Sequence, residues 1–277
     1  MSKPNTTQGY QPEWTQRVHS TCLHLISYLG DLMDDTVVIG GLVPSLIVRQ
    51  DSSAAFSRHV GTLDLDLGLT LAVLNEKRYQ SLTDRLKTAG FAPDTTADGK
   101  ITRQRWVRPS ENVTVDFLIP PTKANEKGGT LRNIKQDFAA IIAPGLHLAF
   151  KNRVSIEMQG HTQAGERIQR RVWVCGAGAF IVLKALAFNN RGENKDAYDL
   201  YYLLRFYGQG LADLIQQFSP LQAEPEAVEA LAILKRDFTN LSALGACRAA
   251  EFLFGRRDED TQADVAGLVR EFLRGLA

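Results

Sequence analysis

The sequence predicts a bilobed α+β fold, with a mixed β-sheet and flanking helices in residues 1–174 and a helical lobe in residues 175–277. Two patterns predict it. As far as Val174, short apolar runs bounded by glycine or proline alternate with amphipathic stretches; from Gly176 onward the apolar spacing is helical. The soft boundary falls at 173–176. A chain of 277 residues, 44% of them hydrophobic, is long enough for one large core or two small ones.

Each element has a local reason. Val18, Cys22, Leu25, Ile26 and Leu29 recur at helical spacing, so a first helix is read over 12–33. VVIGG (37–41) reads as a short buried strand ending in a glycine turn, and LVPSLIVRQ as a helix start, where Pro44 is tolerated. A polar loop, DSSAAFSRH (51–59), leads to the strand TLDLDLGL (62–69). NEKRYQSLTDRLKTAGF reads as an amphipathic helix with Tyr79, Leu82 and Leu86 inward and Gly90 as its stop. Strands follow at 101–107 and 112–120, then the loop PPTKANEKGGT, then further β structure to Val174. Helices are read at 177–190, 194–207, 211–218, 223–243, 245–254 and 260–275.

Composition excludes several classes. A charged content of 23% and a net charge of +1 suit a globular protein and leave a basic patch open. Cys22, Cys175 and Cys247 are few and far apart, which argues against a disulfide framework or thiolate zinc and for a reducing cytoplasm. The first residues lack an apolar signal core, and the longest apolar run (174–188) is too short for a bilayer and contains Lys184. No membrane partner is expected.

Five features carry chemistry. Asp64 and Asp66 alternate with Leu63, Leu65 and Leu67, so both carboxylates share one face of a strand whose other face is apolar. That pattern suits Mg²⁺, which takes one or two carboxylates plus substrate phosphates; the alternative is an acidic surface face. Asp116 lies in the apolar strand VTVDFLIP and becomes a third carboxylate if the two strands are neighbours. Gly40 and Gly41, between a strand and a helix start, suit a close backbone approach to phosphate, or simply a turn. Lys184 is the lone charge in its apolar run, either snorkelling to solvent or held for phosphate. Asp196 and Asp199 share a helix face, either as helix-terminus acids or as site residues, with Arg191, Lys195 and Arg205 around them.

In combination VVIGG, TLDLDLGL and VTVDFLIP resemble the nucleotidyltransferase fold of the DNA polymerase β superfamily. LKALAF and NKDAYDLYYLL narrow this to a resemblance to AbiEii/AbiGii-type nucleotidyltransferase toxins, the MenT-like enzymes of type IV toxin–antitoxin systems. The resemblance implies Mg²⁺ (Mn²⁺ as an alternative) on Asp64 and Asp66, with Asp116 as third carboxylate. It implies triphosphate contacts from Gly40, Gly41 and Thr62, a catalytic Lys184 and Asp196, and Asp199 completing the site from the helical lobe. The 23-residue interval from Gly41 to Asp64, and glycine where the superfamily has serine, depart from the pattern of many members.

The function implied is transfer of a nucleoside monophosphate from an NTP to a hydroxyl, with tRNA 3′ ends as acceptor and a cognate antitoxin as partner. Arg103, Arg105 and Arg108 around Trp106, and Arg167, Arg170 and Arg171 before Trp173, are candidate RNA contacts or plain basic surface. The alternatives are a protein or small-molecule acceptor, and a non-catalytic nucleotide- or partner-binding module. His59 reads as a loop residue with at most a supporting role.

Overall fold

The computed structural model describes residues 4–49, 58–70, 76–123, 126–135, 137–161 and 165–277, with the side chains of 76, 77, 79 and 135 outside the described set. Most of the polar loop read at 51–59, and the inward position read for Tyr79, therefore lie outside the described residues. The fold is α+β, and the chain divides into two compact units: Pro12–Val43 with Thr62–Cys175, and Met1–Gln11, Pro44–Gly61 and Gly176–Ala277.

The first unit is built on a mixed sheet. Helix α1 (Pro12–Leu29) turns Val18, Cys22, Leu25, Ile26 and Leu29 inward. It stops four residues before the expected end because Gly30 takes a left-handed conformation (φ +54°) and opens a 3-10 turn over Gly30–Asp35. Strand β1 (Thr36–Ile39) follows, then a turn at Gly40–Leu42 and the short helix α2 (Val43–Ile47).

The sheet continues with β2 (Asp64–Leu69), helix α3 (Glu76–Thr88), β3 (Ala92–Thr95), β4 (Ile101–Arg108) and β5 (Val113–Ile119). It ends with β6 (Leu131–Lys135), β7 (Phe138–Ile142), the short helix α4 (Leu146–Lys151), β8 (Arg153–His161) and β9 (Arg167–Cys175). The strand order is β3-β4-β5-β2-β1-β9-β8, with β7 also on β5 and β6 on β7.

Strand β5 decides the site. It runs parallel to β2 and antiparallel to β4, and Val113, Val115, Phe117 and Ile119 are fully buried. A central strand with burial on both faces reads as a near-continuous apolar run, which is why Asp116 is conspicuous within it.

The second unit is helical: α5 (Ala177–Arg191), α6 (Asn194–Phe206), α7 (Leu211–Phe218), α8 (Pro225–Phe238), α9 (Leu244–Phe254) and α10 (Glu259–Gly275). Gly192 and Gly255 stop α5 and α9 in left-handed conformations, and the Asp258 carboxylate caps α10 by accepting from the Thr261 amide at 2.9 Å. Helix α8 ends short of the residue 243 read from the pattern. After it, Thr239 Oγ1 donates to the Lys235 carbonyl at 2.7 Å, and Ser242 Oγ donates to Asn240 Oδ1.

Helix α5 is buried almost all round and packs on α6, α7 and α8. At Gly178 it passes so close to α7 that an added Cβ would lie 2.3 Å from the Gln217 carbonyl oxygen. Gly178→Ala is expected to destabilise the protein by about 1–3 kcal/mol, despite alanine's better helix propensity. The check is the urea unfolding midpoint; an unchanged or higher midpoint would show that α5 and α7 do not meet this way.

Candidate active site

Two clusters of the expected residues form, each within its own unit. In the sheet unit, parallel pairing sets Asp66 directly opposite Asp116, with Asp64 opposite Thr114. One carboxylate oxygen from each of Asp64, Asp66 and Asp116 lies within 4.8 Å of the others. Around an octahedral magnesium ion with oxygens at about 2.1 Å, ligand atoms stand about 3.0 to 4.2 Å apart. The donor set and its spacing therefore fit a hard divalent cation after a small closure.

The neighbours of the carboxylates are specific. Gly40 ends β1 beside Asp66, with φ +71°, and a Cβ there would fall 1.9 Å from Asp66 Oδ2. Glycine is required at 40 both for the backbone conformation and for the room the carboxylate occupies. Gly41 continues the same turn. The Thr62 hydroxyl donates to Asp64 Oδ1 at 3.0 Å, which orients that carboxylate.

Arg105, opposite Asp116 on β4, donates through Nε to Oδ1 at 2.8 Å and through Nη2 to Oδ2 at 2.6 Å. Its pKa is raised, chiefly by these bonds, against the effect of burial and with help from the Asp64 and Asp66 charges.

In the helical unit, Lys184, Asp196 and Asp199 come together in the interior. Lys184 Nζ lies 2.8 Å from Asp196 Oδ1 and 2.7 Å from Asp199 Oδ2, the second approach an ion pair off the hydrogen-bonding direction. Arg191 adds a fork onto Asp196 at 2.6 and 2.8 Å. Lys195 pairs with Asp199 and sits among the rings of Tyr10, Tyr198 and Phe252 at 5.4 to 5.9 Å.

Both aspartates are fully buried, and Lys184 is 6% exposed, so this lysine does not snorkel to solvent. Burial opposes the charge on Lys184, but Asp196 and Asp199 more than offset it and raise its pKa. Burial likewise opposes ionisation of Asp196 and Asp199, and the cations around them prevail and lower both. Lys195 ends below its usual range, at about 8, because burial outweighs its attraction to Asp199.

His59 is the residue the sequence undervalued. Its Nε2 donates to Asp199 Oδ1 at 2.8 Å, and its Nδ1 accepts from the Gly61 amide at 3.0 Å and lies 3.1 Å from Ser45 Oγ. A backbone amide can only donate, so Nδ1 carries no proton and the ring is the Nε2–H tautomer. Tyr198 stacks on the ring and Tyr202 meets it edge-on. The ring is buried, which pushes its pKa down to about 4; Lys195 adds to this and Asp199 opposes it. Arg105 and Lys195 were visible in the sequence as basic neighbours, but their partners lie across a register or a helical turn. His59 lies 140 positions from Asp199, and no spacing rule joins them.

In the first basic stretch Arg103 is exposed, Arg105 is half-exposed and held on Asp116, Arg108 is buried beside Glu111 at 3.9 Å, and Trp106 is buried against Phe138. Alternation turned the tryptophan inward. Arg167, Arg170 and Arg171 are exposed along β9, while the Trp173 ring is covered by Arg153 and its indole N–H donates to Asp34. Among the described residues, no helix is long and apolar enough to cross a membrane.

No protein-family model and no curated protein matches the chain. Among solved structures it is similar to a STING-associated CdnE c-di-GMP synthase from Capnocytophaga granulosa, at 12% identity and a TM-score of 0.29, over 96% of this chain and 81% of that one. A score that low carries no argument about this chain.

The buried histidine makes a pH dependence. The unfolded ring titrates near 6.5 and the folded ring near 4, so between these values the unfolded chain binds a proton that the folded chain refuses. Stability therefore falls as pH falls through that window, by about 3 kcal/mol from this one group. The depressed Asp196 and Asp199 act lower: their stabilisation is complete above 3.8 and is withdrawn as pH drops further. Urea midpoints at pH 7 and 4.5 should differ clearly in the wild type and much less in His59→Gln. Equal slopes would mean that His59 is not held neutral.

Proposed function

We propose that the chain is a divalent-cation-dependent nucleotidyltransferase. The observation that carries this reading is the convergence of Asp64, Asp66 and Asp116 on adjacent parallel strands, beside a glycine turn that no side chain can fill. Asp64 and Asp66 would hold Mg²⁺ (Mn²⁺ as an alternative), with Asp116 alongside. A cation bound there supplies charge neutralisation to the phosphates and polarises them toward attack.

The chain's own residues supply position. Thr62 orients Asp64, and Gly40 leaves room for Asp66 and keeps backbone close by, with Gly41 continuing the turn. In the reaction, an acceptor hydroxyl oxygen forms a bond to the α-phosphorus of an NTP as the α–β phosphoanhydride bond breaks, releasing pyrophosphate and the hydroxyl proton. Positioning dominates such chemistry, because little covalent work falls to the protein.

The buried network of Lys184, Asp196 and Asp199 holds α5 on α6, and a catalytic role for these residues rests on the motif resemblance. The finer reading rests on that resemblance alone: a toxin of a toxin–antitoxin system, acting on tRNA 3′ ends and countered by an antitoxin. Exposed Arg103 on β4 and the exposed arginines of β9 are basic surface that suits an RNA backbone.

The test is incubation with Mg²⁺ and each labelled NTP, with and without total tRNA, beside Asp64→Ala. Label on RNA supports the tRNA reading; label on protein or on a small molecule moves the acceptor. The variant should lose at least about 100-fold in transfer. It should also melt no lower than the wild type, because one of three crowded carboxylates is gone. Full activity in a folded Asp64→Ala would remove the metal site from the mechanism. Label nowhere, in a folded wild type, favours a binding module over an enzyme.

A further inference from the structure

Arg105 stands directly opposite Asp116 and grips both of its oxygens through Nε and Nη2. A carboxylate held side-on by a guanidinium has committed the lone pairs best placed for another cation. The third nitrogen of Arg105, Nη1, has no partner among the described residues. The arginine side chain is 38% exposed, whereas that of Asp116 is 6% exposed. The pair thus has a buried anchor and a head that reaches water.

We propose that Asp116 is the anchor of Arg105 rather than a third metal ligand. Arg105 then binds the phosphates of a nucleoside triphosphate, next to the cation on Asp64 and Asp66. This rests on the nucleotidyltransferase reading and deepens it.

The Arg105 guanidinium offsets the charge of Asp116 and keeps a partly exposed edge for an anionic ligand. The guanidinium edge is also the side-chain shape that pairs best with phosphate oxygens. The pairing fixes this edge in place, because Asp116 sits on a central strand whose neighbouring residues are fully buried.

The test measures binding, on the full chain, with two probes. Mn²⁺ alone is titrated by electron paramagnetic resonance, and inorganic tripolyphosphate in saturating Mg²⁺ by calorimetry. The variants are Asp64→Asn, Arg105→Gln and the double variant Arg105→Gln with Asp116→Asn. The double variant keeps the net charge of the site and leaves no unpaired partner, so it separates ligation from the electrostatic field.

Asp64→Asn should weaken Mn²⁺ at least about 10-fold, whereas the double variant should stay within about 3-fold of the wild type. Arg105→Gln and the double variant should each weaken tripolyphosphate about 10-fold or more, the effect of one charge-assisted contact. Loss of Mn²⁺ from a folded double variant to the extent seen in Asp64→Asn would make Asp116 a ligand and overturn the proposal. So would undiminished tripolyphosphate affinity in Arg105→Gln. A folded wild type that binds no Mn²⁺ would fail differently, because it removes the nucleotidyltransferase reading along with this one.

Discussion

Asp66 faces Asp116 across a parallel strand pair, and the surroundings of both answer that like-charge opposition. Two carboxylates so placed repel, and a buried strand offers little water to screen them. Arg105 neutralises one of them from the strand on the other side of β5. Gly40 yields the space that the other needs, and Thr62 ties down the nearby Asp64. Each of these details is costly or odd in isolation: a left-handed glycine, an arginine in a sheet, a threonine turned to a carboxylate. Together they hold negative charge in a small volume, which is what a cation-binding strand pair must do.

The helical unit solves the opposite problem. Asp196 and Asp199 are fully buried, and their charges are met by Lys184, Arg191 and Lys195, with neutral His59 as a further donor. Buried ion pairs seldom stabilise relative to an apolar core, yet breaking one is expensive. The arrangement therefore ties α5 to α6 with a definite geometry more than it adds stability. His59 contributes orientation: its tautomer is set by the Gly61 amide, and that leaves its other nitrogen to hold Asp199. The half-exposed Arg191 adds less than its short contacts suggest, because water screens it.

Much of this was legible in the residues before any coordinates. Alternation in LDLDL placed Asp64 and Asp66 on one face, and helical spacing located the helices after Gly176 within a few residues. Gly90 marked the end of α3 because such an end favours left-handed backbone, a local property. Where the reading overran, a left-handed glycine ends α1, and at the end of α8 the Thr239 hydroxyl takes up the Lys235 carbonyl.

Pairing was not legible. That Asp116 meets Asp66, that Arg105 meets Asp116 and that His59 meets Asp199 are facts of strand register and helix packing between distant parts of the chain. The same alternation that revealed the aspartates buried Trp106, since only the sheet decides which of its faces is covered. The sequence by itself determined the residue types, their local faces and the ends of elements, because those follow from periodicity and backbone preference. Only the tertiary structure decided which charge answers which, because the Coulomb energy depends on a few ångströms of separation that no spacing along the chain encodes.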